Sequence, residues 1–486
     1  MRTGQQYKDS LKDNRCIYIG GERVQDVTTH PAFTGIIDTV AGLYDIAADP
    51  KNNMTYVTED GTIANKIYMI PRSREDLQER REAITTWAEA TCGFVGRSPD
   101  HVASFLASFA GASHVFERGG QRSQDNVVNF YKFARDNDLY VSYVIIPPQV
   151  DRSKAAHELD EKYVAMAVFE EREDGIVVRG SQMLGTGSAV SNYLFCSVIS
   201  PLRPGDEDYA ISFAVPMDAP GLKLYARPSY AQDKPSTFDY PLSTQFDESD
   251  SFVVFDDVFI PWEHVFVYKN IDLVRAQFHE TPAHAVGNNQ AQIRFATKLK
   301  FVIGVARKMA EMNGTDKFPQ VQEKLGELAS IASTVEGMML ASEYQCIQDE
   351  HGLVRPNPRF LYGIVGMQDT IYSSVIKILR ELAGGGVLQG PSTYREIIHP
   401  ETASDIAKYI RGGNVDSTQK IQLFKLAWDI VGSEFGGRHQ QYEMFYNGAP
   451  FVVKGYSFRN YGYQEAVKLV ERFLDSYQLP HDEERK

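Results

Sequence analysis

Apolar residues recur at helical spacing through the first 140 residues of the chain. Two stretches show this best, SREDLQERREAITTWAEATCG (73–93) and SPDHVASFLASFAGASHVFE (98–117), where apolar positions repeat about every 3.6 residues. In the second stretch Ser98 is the predicted N-cap and Pro99 the first helical residue. We therefore predict an N-terminal helical domain over residues 1–140.

Between residues 141 and 270 the pattern changes to short runs rich in β-branched and aromatic residues. Two such runs flank REDG (172–175), whose turn-forming residues predict a β-hairpin. Further runs follow at NYLFCSVIS, DYAISFAVPM, GLKLYARPSY and SFVVFDDVFIPWEHVFV, separated by Gly, Pro and Asp. This spacing is typical of a compact barrel or sandwich. We predict a middle antiparallel β-barrel domain over residues 141–270.

From residue 271 to residue 486 broad apolar stripes at helical spacing return. They run through four long stretches, at residues 292–312, 321–345, 361–386 and 418–446. Gly384 to Gly386 ends the third in the way a helix C-cap does, and Gly436–Gly437 is expected to break the fourth just before Arg438. Helices this long and apolar predict a C-terminal helical bundle of the four-helix type, which subunits can share. The whole chain is thus predicted to belong to the α+β class.

The composition excludes several classes of protein. A formal net charge of -14 argues against a nucleic-acid partner, because phosphates would be repelled over most of the surface. No apolar run reaches the roughly 18 residues of a transmembrane helix, and the polar start MRTGQQYKDSLKDNR lacks the apolar core of a signal peptide. We expect a cytoplasmic protein without a membrane partner. Four scattered cysteines argue against a zinc finger or a disulfide scaffold.

The common cofactor and metal motifs are absent from the sequence. No G-x-G-x-x-G opens a helix after a strand, and no P-loop, H-E-x-x-H or G-x-S-x-G occurs. Hydrolase, kinase and free-standing NAD enzyme are therefore disfavoured, and no metal site is expected. If the protein is a redox enzyme, its electrons must come from another component.

The stretch GRSPDH (96–101) places two basic side chains where helix electrostatics disfavours them. Arg97 precedes the predicted N-cap and His101 lies in the first turn, although the N-terminus of a helix already carries about half a positive charge. One interpretation is that an anion binds there. The alternative is structural, because Arg97 can extend into solvent or pair with Asp100.

Three other stretches combine polar groups with stiff or glycine-rich backbone. They are YVIIPPQVDRS (143–153), GTGSAVSN (185–192) and SEFGGRH (433–439). Glycines beside small hydroxyl residues let a planar ligand or a phosphate approach the backbone closely. Each is equally compatible with a linker, a turn or a bulge when taken alone. Together with GRSPDH they predict a site between the helical domain and the β-domain.

In combination these stretches resemble the oxygenase component of the 4-hydroxyphenylacetate 3-monooxygenase family, the large component of two-component, flavin-dependent aromatic hydroxylases. The resemblance runs over nearly the whole length. It is carried, in this order, by RTGQQYKDSL, THPAFTGI, LYDI, GRSPD, PPQVDRS, GIVVRGSQMLGTGSA, FDDVFIPWEHVFV, LAWDIVGSEFGGR and YNGAP.

The resemblance implies an acyl-CoA dehydrogenase-like fold, assembled as a homotetramer. It implies FAD, taken up as diffusible FADH2, and O2 as cofactors, with FAD favoured over FMN. A separate NAD(P)H:flavin reductase would supply the reduced flavin, which agrees with the missing Rossmann motif. A flavin C4a-hydroperoxide would then hydroxylate a small phenolic or similar electron-rich aromatic substrate, usually ortho to the hydroxyl group. The resemblance leaves open which ring this is, and whether it is free or tethered to a carrier protein.

The resemblance also implies the site residues. Flavin contacts are expected at Gln149, Val150, Asp151, Arg152, Gly185, Thr186, Ser188, Gly437 and Arg438. The catalytic group is Arg97, His101 and Tyr143. Arg97 and the helix N-terminus favour the phenolate form of the substrate. The helix dipole lowers the pKa of His101, so that His101 serves as a neutral partner or a base near neutral pH.

The sequence departs from the family pattern at the substrate site. In the hydroxyphenylacetate enzymes a tyrosine follows GRSPD, and a histidine lies five residues before the second proline of the P-Q-V loop. Here His101 and Tyr143 occupy these two positions, as though the side chains had exchanged. The related halophenol oxygenases carry a histidine on the first bundle helix, where this chain has Gln290. A halophenol or nitrophenol monooxygenase of the same family therefore remains an alternative.

Three further alternatives share the scaffold. A 4-hydroxybutyryl-CoA dehydratase would need three cysteines and a histidine at the domain junction, where the chain offers only Cys92. An acyl-CoA dehydrogenase would need a catalytic glutamate and a tightly held flavin. A flavin-binding relative without catalysis is disfavoured because Arg97 and the flavin loops are retained.

Overall fold

Helices build most of the first 140 residues, as the apolar spacing predicts. The computed structural model describes residues 1–477 and begins with α1 (Gly4–Asp9), β1 (Cys16–Ile19), β2 (Glu22–Arg23), α2 (Thr34–Ala48), β3 (Thr55–Val57), β4 (Ile63–Asn65), α3 (Arg74–Ala90), α4 (Pro99–Gly111) and α5 (Gln121–Asp136). A capping box starts α3, because Ser73 Oγ accepts a hydrogen bond from Asp76 N while an Asp76 carboxylate oxygen accepts from Ser73 N. Ser98 is the N-cap of α4, as predicted.

The predicted strands all form and assemble into two sheets. They are β5 (Val141–Val144), β6 (Ala167–Glu171), β7 (Gly175–Thr186), β8 (Tyr193–Cys196), β9 (Ser212–Pro216), β10 (Leu222–Ala226), β11 (Asp250–Pro261) and β12 (Val265–Val267), with a short helix α6 (Ser243–Phe246) before β11. One sheet has the order β2-β1-β10-β11-β7-β6 and the other β12-β9-β8-β5. The REDG turn joins the antiparallel pair β6 and β7, which confirms the predicted hairpin.

The sheets differ from the predicted antiparallel barrel in the direction of two strand pairs. β1 pairs with β10 and β5 pairs with β8 in parallel, so the sheets are mixed. An isolated bridge between Ile146, just after β5, and Met183 of β7 links the two sheets. The parallel pair arises because β1 comes from the N-terminal region and covers the free edge of β10, where it buries Ile17 in the core. The N-terminal 140 residues thus complete a sheet of the middle region.

Long helices form the remainder, in agreement with the predicted bundle. They are α7 (Ile271–His279), α8 (Ala283–Met312), α9 (Pro319–Tyr344), α10 (Pro358–Val365), α11 (Gln368–Ala383), α12 (Arg395–Ile398), α13 (Ala403–Tyr409), α14 (Ser417–Val431), α15 (Glu434–Phe445), α16 (Pro450–Asn460) and α17 (Tyr463–Leu474). A short hairpin of β13 (Ile347–Gln348) and β14 (Val354–Arg355) lies between α9 and α10. No helix within residues 1–477 combines the length and the apolar character needed to cross a bilayer.

Glycines divide two of the predicted helices, at places that correct the sequence prediction. The third stretch breaks at Gly366, where a Cβ would lie 2.5 Å from Ser457 Oγ of the crossing helix α16. The fourth breaks at Gly432, and Ser433 caps α15 by accepting from Gly436 N. The expected break at Gly436–Gly437 is therefore wrong, because both glycines lie in the first turn of α15.

Helix α8 runs through the interior. Every residue from 283 to 295 is buried, although about half of them are polar. An amphipathic helix covers a core with one face, whereas this segment is surrounded on all sides, so its polar side chains must be satisfied by other buried groups. One of them, Gln290, lies against the start of α4.

Candidate active site

The start of α4 brings Arg97 against a group of aromatic rings. The guanidinium lies 3.9 Å from the ring centre of Tyr446, which follows α15, and 5.2 Å from that of Tyr143 on β5. Arg97 Nη2 donates to the carbonyl oxygen of Tyr446 (2.9 Å). Rings and a carbonyl hold the guanidinium in place, and an aromatic face attracts a cation without neutralising it.

Glycine is required at the residue before Arg97. A Cβ on Gly96 would collide with the Tyr442 hydroxyl and the Tyr446 ring. The Tyr446 hydroxyl donates to the carbonyl oxygen of Gly96 (2.6 Å). The absence of a side chain therefore lets α15 approach the start of α4 closely enough to position Arg97.

His101 is buried beside Arg97 and is neutral. Its ring stacks on Tyr143 with centres 5.2 Å apart, and only 3% of the residue is exposed. Burial lowers the pKa of His101 well below its ordinary value, and the Arg97 guanidinium lowers it further. Tyr143 is half-buried and comes from the first strand after the N-terminal helices. The three residues predicted to be catalytic thus lie together.

An apolar wall continues from these polar groups. Phe105 lies one turn after His101 on α4, with ring centres 5.2 Å apart, and it contacts Tyr143 at 6.0 Å. Phe278 of α7 approaches Phe105 at 6.2 Å. A cation and a tyrosine hydroxyl at one end and phenylalanine rings at the other suit a flat aromatic ligand with one polar substituent.

Two carboxylates, Glu248 and Asp250, connect this group to the predicted flavin residues, and we call them the carboxylate pair. Glu248 Oε1 accepts from Arg97 N (2.6 Å), and Glu248 Oε2 accepts from Arg438 Nη1 (3.0 Å). Asp250 accepts from Arg438 Nη2 (2.8 Å) and from Thr186 Oγ1 (2.6 Å). Burial alone would raise the pKa of Asp250, but Arg438 and Arg227 outweigh burial and hold it well below its ordinary value.

The structure places most of the predicted flavin residues at the same junction. Gly185 and Thr186 end β7, Ser188 follows in a turn where its hydroxyl donates to Gly185 O (2.7 Å), and Gly437 and Arg438 lie in α15. The loop that carries Gln149, Val150, Asp151 and Arg152 is exposed. It leaves β5 just after Ile146, the residue that bridges to Met183 of β7. The loop and the end of β7 therefore start from neighbouring points.

Sequence reasoning missed four residues of this site. The carboxylate pair lies in FDESD (246–250), and this acidic run directly before an apolar strand is the signal that could have revealed it. Tyr442 and Tyr446 are spaced four residues apart at the end of a helix, where the sequence gives no reason to single them out.

Comparison with known proteins identifies the relatives of this chain. Residues 3–267 match the family described as "4-hydroxyphenylacetate 3-hydroxylase N terminal", and residues 274–475 match "4-hydroxyphenylacetate 3-hydroxylase C terminal". The chain is 36% identical to the pyoverdin chromophore biosynthetic protein PvcC of Pseudomonas aeruginosa, covering 92% of this chain and 89% of the relative. It is also 36% identical to the oxygenase component of 4-nitrophenol 2-monooxygenase from a Rhodococcus species, covering 93% and 87%.

A solved structure agrees with these matches. The oxygenase component HpaB of 4-hydroxyphenylacetate 3-monooxygenase, crystallised with FAD and 4-hydroxyphenylacetate, superposes with a TM-score of 0.93 at 31% identity. The alignment covers 98% of this chain and 99% of HpaB. The resemblance drawn from the motifs is confirmed, and the chain belongs to the 4-hydroxyphenylacetate 3-hydroxylase family.

Proposed function

We propose that the protein is the oxygenase component of a two-component monooxygenase that hydroxylates a phenolic substrate next to its hydroxyl group. The observation that carries this is the placement of Arg97, Tyr143 and neutral His101 at the start of α4, beside an apolar wall. Family membership supports the same chemistry, because its members include oxygenase components that act on phenols. The electrons come from a separate NAD(P)H-dependent flavin reductase.

Arg97 and Tyr143 are the residues that hold the substrate oxygen. Both are donors, and donors aimed at an oxygen favour its anionic form. A phenol becomes a stronger nucleophile when it loses its proton, whose pKa is about 10 in tyrosine. The N-terminus of α4 adds the positive end of a helix dipole at the same place. The phenylalanine wall excludes water from the ring.

The residues at the junction of β5, β7 and α15 suit reduced FAD. A Cβ on Gly437 would meet no atom within 4 Å, so the first turn of α15 has an open side. The same helix carries the guanidinium of Arg438, 4.0 Å from the ring centre of Tyr442, whose buried hydroxyl has no hydrogen-bond partner among residues 1–477. Together with Thr186, Ser188 and the loop at residues 149–152, they offer donors and backbone for a polar, planar cofactor. When bound, reduced FAD and O2 together supply the oxygen atom that is transferred to the ring.

A product assay tests this function directly. The protein is incubated with a generic flavin reductase, NADH, FAD and a panel of phenols that includes 4-hydroxyphenylacetate and 4-nitrophenol, and products are identified by mass spectrometry. We expect a gain of one oxygen atom, adjacent to the hydroxyl group, with at least one phenol. The gain should vanish when the reductase is omitted. NADH consumption without any oxygenated product across the panel would contradict the proposed function.

We also propose that the chain assembles as a homotetramer with the acyl-CoA dehydrogenase-like arrangement. Helix α17 buries none of its residues against the rest of residues 1–477. Its apolar side chains Val467, Val470, Phe473 and Leu474 are each at least half exposed. Apolar patches of this kind are typical of subunit contacts.

A further inference from the structure

The side-chain amide of Gln290 is held in one orientation by its neighbours. Gln290 is fully buried on α8, and its Nε2 donates to Asp100 Oδ1 (3.2 Å). Asp100 also accepts from the Ser98 hydroxyl (2.5 Å). If the amide were turned over, its oxygen would face the carboxylate and two acceptors would meet. Gln290 Oε1 therefore points away from Asp100, toward His101 and the Tyr446 hydroxyl.

This orientation determines the tautomer of His101. Gln290 Oε1 lies 3.1 Å from Nδ1 of the imidazole. An amide oxygen can only accept, so Nδ1 must carry the ring proton, and the neutral ring then has its lone pair on Nε2. His101 Nδ1–H therefore donates to Gln290 Oε1, and Gln290 Nε2 donates to Asp100 Oδ1.

Arg97 does not bind that lone pair. Its Nη1 lies 2.9 Å from Nε2 and 3.4 Å from Nδ1 of the same ring. A donor in line with the Nε2 lone pair would be much farther from Nδ1, so the near-equal distances place the guanidinium over the face of the imidazole. The contact is a cation stacked on a ring, and the in-plane direction at Nε2 is not taken by Arg97.

We propose that Gln290 is the positioning residue that fixes His101 as the Nδ1–H tautomer, so that Nε2 accepts the hydrogen of the substrate hydroxyl group. This rests on the proposed function. The O–H bond of the bound phenol breaks, its proton goes to Nε2, and the phenolate oxygen remains beside Arg97 and Tyr143. The substrate class is thus a phenol with a free hydroxyl group, and an aryl methyl ether with the same ring is excluded.

Charged groups from every neighbouring element act on this proton. Those that face the Arg97–His101 pair are Asp100 on α4, Glu248 before β11, Arg294 on α8, Arg438 and Tyr442 on α15, Tyr446 after α15, and Tyr143 on β5. Arg97 and Arg294 oppose an imidazolium, which keeps His101 ready to accept. The phenolate formed in the same step is the anion that offsets the new charge.

The tautomer is tested by binding 4-nitrophenol to the flavin-free protein, because its phenolate is yellow and its neutral form is colourless. The double variant Gln290→Glu, Asp100→Asn places a carboxylate next to Nδ1–H without setting it against a second carboxylate, so it stabilises the imidazolium and bound phenolate should persist to lower pH than in the wild type. Gln290→Leu removes the acceptor, and we expect phenolate to form only at higher pH, with about tenfold weaker binding. A general loss of structure would not move the two variants in opposite directions.

Gln292 supplies the matched controls, because it is also fully buried on α8 but bonds Gln368 (2.7 Å) instead of His101. Gln292→Leu and Gln292→Glu should leave the pH of phenolate formation unchanged. Identical curves of bound phenolate against pH for the wild type and both Gln290 variants would overturn the role of Gln290 but not the proposed function. A wild-type protein that binds phenolate but yields no hydroxylated product would overturn the proposed function, and one that binds no phenol overturns both.

Discussion

Arg97 keeps an uncompensated charge because its neighbours are rings and a carbonyl. The nearest carboxylate, Glu248, accepts from the backbone N–H of Arg97 and from the guanidinium of Arg438. The side chain of Arg97 is thus positioned by Tyr446 and remains available to an anionic oxygen. The contacts that hold the Arg97 side chain in place therefore do not neutralise its charge.

Arg97→Ala should abolish hydroxylation while preserving the fold. Removing a donor to a developing oxyanion typically costs about 10² to 10³ in rate. Product formation measured by mass spectrometry tests the rate, and circular dichroism tests the fold. Arg97→Lys keeps the charge without the planar fork and should recover only part of the rate. Full product yield in the alanine variant would remove Arg97 from the site.

The exchange of His101 and Tyr143 should determine which phenols are accepted. The double variant His101→Tyr, Tyr143→His gives the arrangement that the motif resemblance implies for the hydroxyphenylacetate enzymes. The two rings are stacked with centres 5.2 Å apart, so the exchange keeps one imidazole and one phenol ring in the same pair of positions. We expect kcat/KM to shift toward 4-hydroxyphenylacetate relative to 4-nitrophenol. An unchanged ratio would show that the exchange does not affect specificity.

Buried ion pairs join helix α15 to strand β11 and the residues before it. Arg438 connects α15 to the carboxylate pair, and Asp250 begins the long strand β11. This clamp holds the bundle against the sheets beside the predicted flavin residues Thr186 and Arg438. Its strength depends on burial, because an ion pair that is broken inside a protein leaves a charge without a partner.

Asp250→Asn should reduce the free energy of unfolding by about 2 kcal/mol, because Arg227 and Arg438 each lose a charged hydrogen bond but keep Asp247 and Glu248 as partners. Denaturant unfolding measures this change. Asp257→Asn is the matched control. Asp257 lies on β11 like Asp250, but its ion pair with Arg179 of β7 is exposed, so its loss should cost less than about 1 kcal/mol. Equal losses in both variants would show that the clamp is no stronger than a surface pair.

A second buried cluster makes stability depend on pH. Burial lowers the pKa of Lys298 to about 7. The neighbouring Glu443 carboxylate raises this pKa but does not outweigh burial, because Glu443 is also paired with Arg294, whose charge lowers the pKa of Lys298. Between about pH 7 and pH 10 the unfolded chain holds this proton and the folded chain does not. Stability should therefore rise with pH across this window, by up to about 1.4 kcal/mol per unit.

Lys298→Met should remove this slope and make the protein more stable at pH 7. Glu443 keeps its pair with Arg294 and accepts from Gln368 (2.8 Å), so it is not left alone. Urea unfolding at pH 7, 8 and 9 measures the effect. Lys300→Met, on the exposed face of the same helix, should keep the wild-type slope. A steeper slope in Lys298→Met would contradict the expectation.

At the scale of elements, periodicity predicts strands and helices where one face meets the core. It cannot predict the buried first half of α8, because polar residues such as Gln290 and Arg294 are satisfied by partners far along the chain. The break at Gly366 depends on Ser457 of a neighbouring helix, so the local sequence cannot predict it, whereas a Cβ on Gly432 would meet the ring of Trp428 in the same helix. At the site the motifs indicate Arg97 and Arg438, whereas the acidic run that contains the carboxylate pair does not reveal which donors the pair binds.

For the whole molecule, the proposed assembly can be tested at α17. Val467→Asp with Val470→Asp adds two charges to its apolar face and should lower the assembly mass measured by light scattering. Lys468→Asp adds a carboxylate to the same helix at a polar position and should leave the mass unchanged. An unchanged mass in the double variant would show that α17 does not lie between subunits.

The parallel pairing of β1 with β10 constrains the order in which the molecule can fold as it leaves the ribosome. The two strands are about 200 residues apart, which corresponds to about 10 to 40 s of synthesis. Until β10 emerges, β1 has no strand to pair with, and Ile17 and part of the core of the N-terminal region remain exposed. The nascent chain is therefore most in need of a chaperone during the first half of translation.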